Sequence, residues 1–324
     1  MINPRTYHYD FHGLRISITG DPTISETLDS RLWRFASERS DSPDLLFESF
    51  FVPGSSSHRV ERPEGQGRPI YAPLKGEVLY FNNSDQIFIN YLDRVRALYC
   101  VSRGHMTVSV AGDQKDDARS VCHSIFTIQF LEFLKRNKLY SLHAAGLCVG
   151  RKGLLLAGSS GAGKSTLALA LLRAGFKFLG DDMVFLSCAG SDLRVLAFPD
   201  HTNVTDETAR FFPELHYLLD SPKDSAWGKR SILAERVYGA DVVWECMPGA
   251  LILPKISDKK KSVLKPVVPH QAFMELASNV LLTEANSTQS HLNILAKLVE
   301  ETDCYSLETG RDFDRIPILL RGLI

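Results

Sequence analysis

The stretch with the clearest chemistry is LLLAGSSGAGKSTLALALLRAGFKFLGDDMVFL, Leu154 to Leu186. Within it, GSSGAGKS, Gly158 to Ser165, satisfies G-x-x-x-x-G-K-[ST], the P-loop or Walker A pattern. The residue types suit one task, cradling phosphate. Gly158, Gly161 and Gly163, with Ser159, Ser160 and Ala162 between them, let backbone N–H groups converge on phosphate oxygens. A helix leaving the loop adds partial positive charge at its N-terminus. Lys164 places a compact cation near the β- and γ-phosphates. The Ser165 hydroxyl, followed by Thr166, can ligand Mg²⁺. The motif therefore points to ATP with Mg²⁺.

An aspartate pair turns a nucleotide into a reaction. Asp181 follows Lys164 by 17 residues, at the end of the next predicted strand, FKFLGDD. One short strand–loop–helix–strand unit thus brings loop and carboxylates together, because ligands bind beyond the carboxyl ends of parallel strands. Adjacent side chains on an extended segment point to opposite faces. One of Asp181 and Asp182 can then hold Mg²⁺, through water or directly, while the other meets a substrate hydroxyl as a base.

The elements that must position these groups are legible in the flanking patterns. The apolar run GLLLAG enters the loop as a strand, and KSTLALALLRAG leaves it as a helix closed by Gly175. Further strands are expected at LHAAGLCVG, LRVLAF and ALILPKI, and helices near Gln271–Leu282 and Ser290–Glu300. Before them, from Asp113, the period becomes helical. It places Val121, Ile125, Ile128 and Leu131, or Phe126, Phe130 and Phe133, on one stripe, with Lys135, Arg136 and Lys138 at the C-terminal end. The first ~110 residues read as β-rich, with short β-branched and aromatic runs such as EVLYFN and QIFINYL between turn formers. Pro53–Pro69, rich in Pro, Gly and Ser, reads as a loop whose Arg59, Arg62 and Arg68 are solvated. The expected organisation is mixed α/β: a β-rich region over 1–112 and a P-loop catalytic domain over 113–324.

The Leu154–Leu186 segment resembles the C-terminal catalytic domain of HPr kinase/phosphorylase, a bacterial serine kinase with a fold related to phosphoenolpyruvate carboxykinase. That family has a histidine fifteen residues before the first loop glycine, where His143 stands before Gly158. Its paired aspartates follow that glycine by twenty-three and twenty-four residues, the positions of Asp181 and Asp182. The match runs ungapped from about His143 to Leu186. The resemblance implies Asp181 as general base on the substrate hydroxyl, Asp182 as metal or water ligand beside Ser165, and His143 as a neighbour tuning both aspartates.

Other positions depart from the family. In GKRSILAERVYGADVV, Tyr238–Gly239 stands where the family has Phe–Gly, and Trp227 falls where it has arginine. Lys229 and Arg230 stand close by as replacements able to neutralise a transferring phosphate. VPHQAF corresponds to the family's Pro-Gly-Arg-Asn loop, with Gln271 in place of the arginine. These departures leave phosphorylase activity and HPr itself open, and the first ~110 residues do not resemble the N-terminal domain of the HPr enzyme. The overall layout is similar to HPr-kinase-related proteins found beside ribosomal-peptide gene clusters, some of which act on a peptide serine.

Composition narrows the class without choosing the acceptor. The chain has 324 residues, 44% hydrophobic and 23% charged, with a formal net charge of −1. No basic excess suggests nucleic acid, and no apolar run reaches the roughly 18 residues of a membrane span. The start, MINPRTYHYDFHG, lacks the pattern of a secretory signal, so the cytoplasm is the expected location. Six scattered cysteines read mostly as buried free thiols. The expected activity is ATP-dependent phosphorylation of a serine or other aliphatic hydroxyl, with a peptide or protein acceptor as partner. Alternatives are a small-molecule hydroxyl kinase and a non-catalytic ATP-binding adaptor that uses the β-rich region to bind a protein. The oligomeric state, a homo-oligomer included, is left open.

Overall fold

The computed structural model describes residues 5–52, 59–71, 76–92, 94–111, 115–223, 228–281 and 285–324. The chain divides into two compact units: Met1–Asn137 with Leu281–Thr288, and Lys138–Val280 with Gln289–Ile324.

The first unit is built on β1 (Arg5–Phe11), β2 (Leu14–Gly20), α1 (Pro22–Leu32), β3 (Leu45–Val52), β4 (Arg68–Tyr71), β5 (Gly76–Phe81), β6 (Gln86–Tyr91), β7 (Val95–Cys100), β8 (His105–Ala111) and α2 (Lys115–Arg136). Its strands form one eight-stranded sheet in the order β1-β2-β3-β8-β7-β6-β5-β4. β2–β3 and β3–β8 are parallel and every other neighbour pair is antiparallel. Alternation is clean in β7 and over residues 45–49 of β3, where every second residue is buried.

Three expectations change in this unit. First, α1 interrupts the β-rich region. Asp21 caps it by accepting from Thr23 N, and Pro22 occupies the first turn, where its missing N–H costs nothing. Second, α2 belongs here and not with the loop-bearing unit, so the boundary expected at residue 112 falls at Asn137. The reason is its aromatic stripe. Phe130 packs edge-on against Phe11 of β1 at 5.2 Å, and Phe126 against Phe47 of β3 at 5.1 Å. Phe126, Phe130 and Phe133 are buried, as is Ile125 of the other stripe, while Ile128 and Leu131 are partly exposed and the Val121 side chain lies outside those described. Lys135 is also buried, paired with Glu132 at 2.6 Å and donating to Leu281 O. Third, part of the expected loop is ordered by the sheet. Arg68–Tyr71 forms β4, and Val60 is buried with Leu79, Phe81 and Phe88.

The second unit contains β9 (Tyr140–Leu142), β10 (Ala144–Val149), β11 (Lys152–Ala157), α3 (Lys164–Arg173), β12 (Lys177–Gly180), β13 (Val184–Ala189), β14 (Asp192–Leu196), β15 (Thr202–Val204), α4 (Asp206–Phe211), β16 (Arg230–Ile232), α5 (Ala234–Tyr238), β17 (Glu245–Ile256), β18 (Val263–Pro266), α6 (Pro269–Ala277), α7 (Ala285–Glu301, from Gln289 onward), β19 (Asp303–Thr309) and α8 (Ile316–Arg321). Nine strands form one sheet, with the path β12-β10-β11-β17-β14-β13-β9 and β19 lying between β17 and β18. β17 is parallel to both β11 and β19.

This sheet is apolar on both faces, which explains its unbroken apolar runs. Leu154, Leu156, Ala250 and Ile252 face a core shared with α3 residues Leu167–Leu172. The alternate residues Leu155, Ala157, Leu251 and Leu253 face a second core shared with Leu276 of α6 and Leu295 and Leu298 of α7. Each such leucine contributes roughly 1.5–3 kcal/mol by leaving water.

The βαβ unit read from the sequence is present with one difference: β11 and β12 run the same way but are not neighbours. β10 lies between them, antiparallel to both. Ala144 pairs with Ala157 and Gly146 with Gly180, so the start of β10 and the ends of β11 and β12 meet at one end of the sheet. Of the described cysteines, Cys148, Cys246 and Cys304 are buried free thiols, Cys100 is half-buried and Cys188 is exposed. Cys122 lies outside the side chains described.

Gly180 is the tight point of this arrangement. A Cβ there would sit 2.6 Å from both Met183 O and Phe198 O. Gly180→Ala is therefore expected to lower unfolding free energy in urea by about 1–3 kcal/mol, as overpacking does. An unchanged midpoint would contradict the packing.

Candidate active site

The loop between β11 and α3 is shaped by glycines in the left-handed region. Gly158, Gly161 and Gly163 have φ of +148°, +84° and +90°, values an L side chain rarely adopts. Gly163 is the N-cap of α3, and Gly175, φ +83°, lies one residue beyond its C-cap, Ala174. Ser159, Ser160 and Gly161 are exposed, Ala162 and Gly163 partly so. Below the loop, the end of β17 supports it: the position a Cβ of Gly158 would take lies 4.0 Å from Pro254, and that of Gly163 lies 3.6 Å from Ile256.

Lys164 is buried and turned onto its own loop, donating to Gly158 O at 2.7 Å and Ser159 O at 3.2 Å. Burial lowers its pKa, while the charges of Asp182 and Asp181 oppose that shift. The ammonium is thus held at the loop by two carbonyls that a stronger anionic ligand could displace.

Asp181 is the unusual group. Its side chain is buried, and Oδ1 has no hydrogen-bond partner. Loss of water pushes its pKa up to about 7. A hydrogen bond from Ser165 pulls it down, Asp182 raises it, and Lys164 and Lys229 lower it. Asp182, the next residue, is solvent-facing. The two carboxylates therefore divide, one inward and one outward, but in a bend just past β12 and not along an extended strand.

His143, immediately before β10, joins the second aspartate. Its Nδ1 lies 2.9 Å from Asp182 O and 3.4 Å from Asp182 Oδ1. The sequence grouped His143 with both aspartates; its ring contacts Asp182. Ser165, grouped with Asp182 as a metal ligand, also lies near enough to Asp181 to lower its pKa.

The two basic replacements separate sharply. Arg230 is buried and fully engaged: its guanidinium pairs with Asp206 and donates to Ser221 O at 2.8 Å and Leu219 O at 2.9 Å. The expectation that Arg230 neutralises phosphate is corrected, because every side of its fork is already bound within the fold. Lys229 is half-exposed, and its charge acts on both Lys164 and Asp181. Trp227 lies outside the described residues. Gln271 is on α6, lining a cavity of about 530 Å³ with Leu253, Lys255 and Ser306.

Two residues beside this site, Thr205 and Thr208, escaped the sequence reading. Thr166 Oγ1 lies 2.9 Å from Thr208 Oγ1, and Thr208 also bonds Thr205, the N-cap of α4. The signal was a helix start, the TDET of Thr205–Thr208.

Among the described residues no group of three or more His, Cys, Asp or Glu is placed to hold a metal ion. That is no obstacle to Mg²⁺, which binds through one or two protein oxygens and completes its shell with phosphate and water. The unpartnered Oδ1 of Asp181 beside the Ser165 hydroxyl, with Asp182 adjacent, is an oxygen set of that kind.

No family model and no curated protein matches this chain. Among solved structures it is similar to the Hpr(Ser) kinase/phosphatase from Coxiella burnetii, at 14% identity and a TM-score of 0.30, covering 56% of this chain and 92% of that one. A likeness this distant carries no argument about activity. None of the described helices is long and apolar enough to cross a membrane.

The raised pKa of Asp181 has a consequence for stability. In the folded protein this carboxyl keeps its proton up to about pH 7, whereas an unfolded chain releases it near pH 4. Between those values the folded state holds more protons. The group's contribution therefore falls as pH rises and stays lost above about 7. The unfolding temperature of Asp181→Asn relative to the parent should shift in the variant's favour from pH 5 to pH 8. A difference that does not vary with pH would contradict the buried, unsatisfied carboxyl.

Proposed function

We propose that the protein is an ATP-dependent phosphotransferase that phosphorylates an aliphatic hydroxyl, with a serine of a peptide or protein as the acceptor. The observation that carries this reading is a buried carboxyl with one unpartnered oxygen, its pKa raised to about 7, beside the loop's serine and within reach of the loop's lysine charge. A purely structural aspartate would be expected to have both oxygens satisfied. A general base works best with a pKa near the working pH.

In this reading the glycine loop Gly158–Gly163 and the first turn of α3, from Lys164 to Thr166, receive the triphosphate. Lys164 leaves the carbonyls of Gly158 and Ser159 for the β- and γ-phosphates. Ser165 and Asp182 would hold Mg²⁺, which when bound screens the charge of the phosphates. Asp181 accepts the proton from the acceptor hydroxyl as that oxygen bonds to the γ-phosphorus. The bond from phosphorus to the bridging oxygen breaks, and ADP leaves. Lys229 offsets charge on the transferring group. His143 holds Asp182 through its backbone oxygen, which fixes the turn that buries Asp181. Phosphoryl transfer is mostly positioning and charge neutralisation, so this set suffices. The spacing of His143, Gly158, Asp181 and Asp182 shared with the HPr kinase family supports the same assignment. A cytoplasmic location belongs to the same proposal.

The test is incubation of the purified protein with γ-labelled ATP, Mg²⁺ and candidate serine peptides or cell extract, with mass spectrometry of the products. Asp181→Asn should reduce transfer by at least about a hundredfold while retaining ATP affinity. Lys164→Ala should lose both. ATP binding with no phosphorylated product from any acceptor would favour an adaptor, and undiminished transfer by Asp181→Asn would remove the base assignment.

A further inference from the structure

The half-exposed Lys229 is only one residue ahead of Arg230, whose guanidinium is held by a carboxylate and two backbone carbonyls. β16 begins at Arg230 and pairs with β15, Val204 opposite Arg230 and Asn203 opposite Ser231. Arg230 is tied to Asp206 in the first turn of α4, to Leu219 O and to Ser221 O. Asp206 also binds Lys223 at 2.6 Å. Two residues on, in the same turn of α4, Thr208 Oγ1 meets Thr166 Oγ1 at 2.9 Å, and Thr166 is in the first turn of the helix that leaves the glycine loop. Thr205 caps α4 and bonds the same Thr208 hydroxyl at 3.0 Å. A chain of polar contacts thus runs from the loop helix through α4 to β16 and ends beside Lys229.

We propose that this chain is a brace: Thr208, through Thr166, and Asp206, through Arg230, are positioning residues that hold Lys229 over the phosphate of the bound nucleotide. The inference rests on the kinase reading for what Lys229 does and on the contacts above for how it is held. It gives Arg230 a task despite its engagement, because an arginine forked onto two carbonyls and a carboxylate fixes the backbone on either side of it. It also explains a hydroxyl pair between two helices, a contact that orients α4 on α3 more sharply than apolar packing would. The charge of Lys229 acts on both Lys164 and Asp181, as the brace requires.

A double-mutant comparison tests it. Thr208→Val and Asp206→Asn are each made alone and in a Lys229→Ala background, and transfer from ATP is measured with ATP affinity. In the parent background each should lower kcat by at least about tenfold with KM for ATP within about twofold. In the Lys229→Ala background neither should lower it further, and Thr208→Ser should restore the rate. An equal loss in both backgrounds, or ATP affinity falling in step with kcat, would overturn the brace. If Asp206→Asn loses its cooperative melting because Arg230 is left unpaired, Thr208→Val carries the comparison.

A second readout needs no turnover. Lysine acetylation with and without ATP, mapped by peptide mass spectrometry, should show ATP protecting Lys164 and Lys229 in the parent. Only Lys164 should be protected in Thr208→Val. A parent that protects both lysines yet yields no phosphorylated product would refute the kinase reading and leave the brace standing. A parent in which Lys229 is not protected, or a Thr208→Val variant with full protection, would refute the brace.

Discussion

A carboxyl group held away from water with one oxygen unpaired is unfavourable wherever it is not used, and the second unit is organised around keeping Asp181 in that state. β12 delivers it to the end of the sheet, and Gly180 makes room for the backbone there by having no side chain. His143 then holds the following peptide by its oxygen, so that Asp182 turns outward and Asp181 inward. Ser165 lowers the pKa of Asp181, while Oδ1 has no hydrogen-bond partner. Filling the site with a neutral, well-bonded side chain would be more stable. Retaining such a buried carboxyl beside the glycine loop is what the proposed phosphotransfer draws on for its base.

The sheet explains why three separate segments can meet at this point. Both of its faces are buried, so the helices that pack on either side hold its strands in fixed register. With β10 inserted between β11 and β12, the residue before β10 arrives at the same end as the residues after its two neighbours. Histidine, loop and aspartates are therefore set by strand order and hardly by loop conformation. The arrangement also puts the end of β17 under the loop, where Pro254 and Ile256 support glycines that could not themselves carry side chains.

The local part of this site was legible in the sequence because its requirements are local. Gly158, Gly161 and Gly163 are glycines since their φ values demand it, and Lys164 and Ser165 follow from the helix that starts there. That Asp181 and Asp182 face opposite ways was expected from extended geometry, whereas the structure achieves it in a bend after β12. What could not be read depends on partners distant in the chain. Lys229 and Arg230 look equivalent as a basic pair; only the position of Asp206, 24 residues earlier, decides that Arg230 is structural. The insertion of β10 is invisible to any pattern within the strands it separates. α1 and the edge strand β4 were missed for a different reason: a capped DPT start and a short strand inside a Pro- and Gly-rich stretch give weak periodic signals, which tertiary pairing overrides. The aromatic stripe of α2 was visible, but not which sheet it would cover.

The central claim is that Asp181 changes charge near neutrality while held beside the phosphate loop. Carbon NMR of the protein labelled at the aspartate side-chain carboxyl, with Asp181→Asn used to assign the resonance, measures this directly. The account predicts a carboxyl that titrates at about pH 7. An Asp181 signal that titrates near pH 4, like an exposed aspartate, would contradict it.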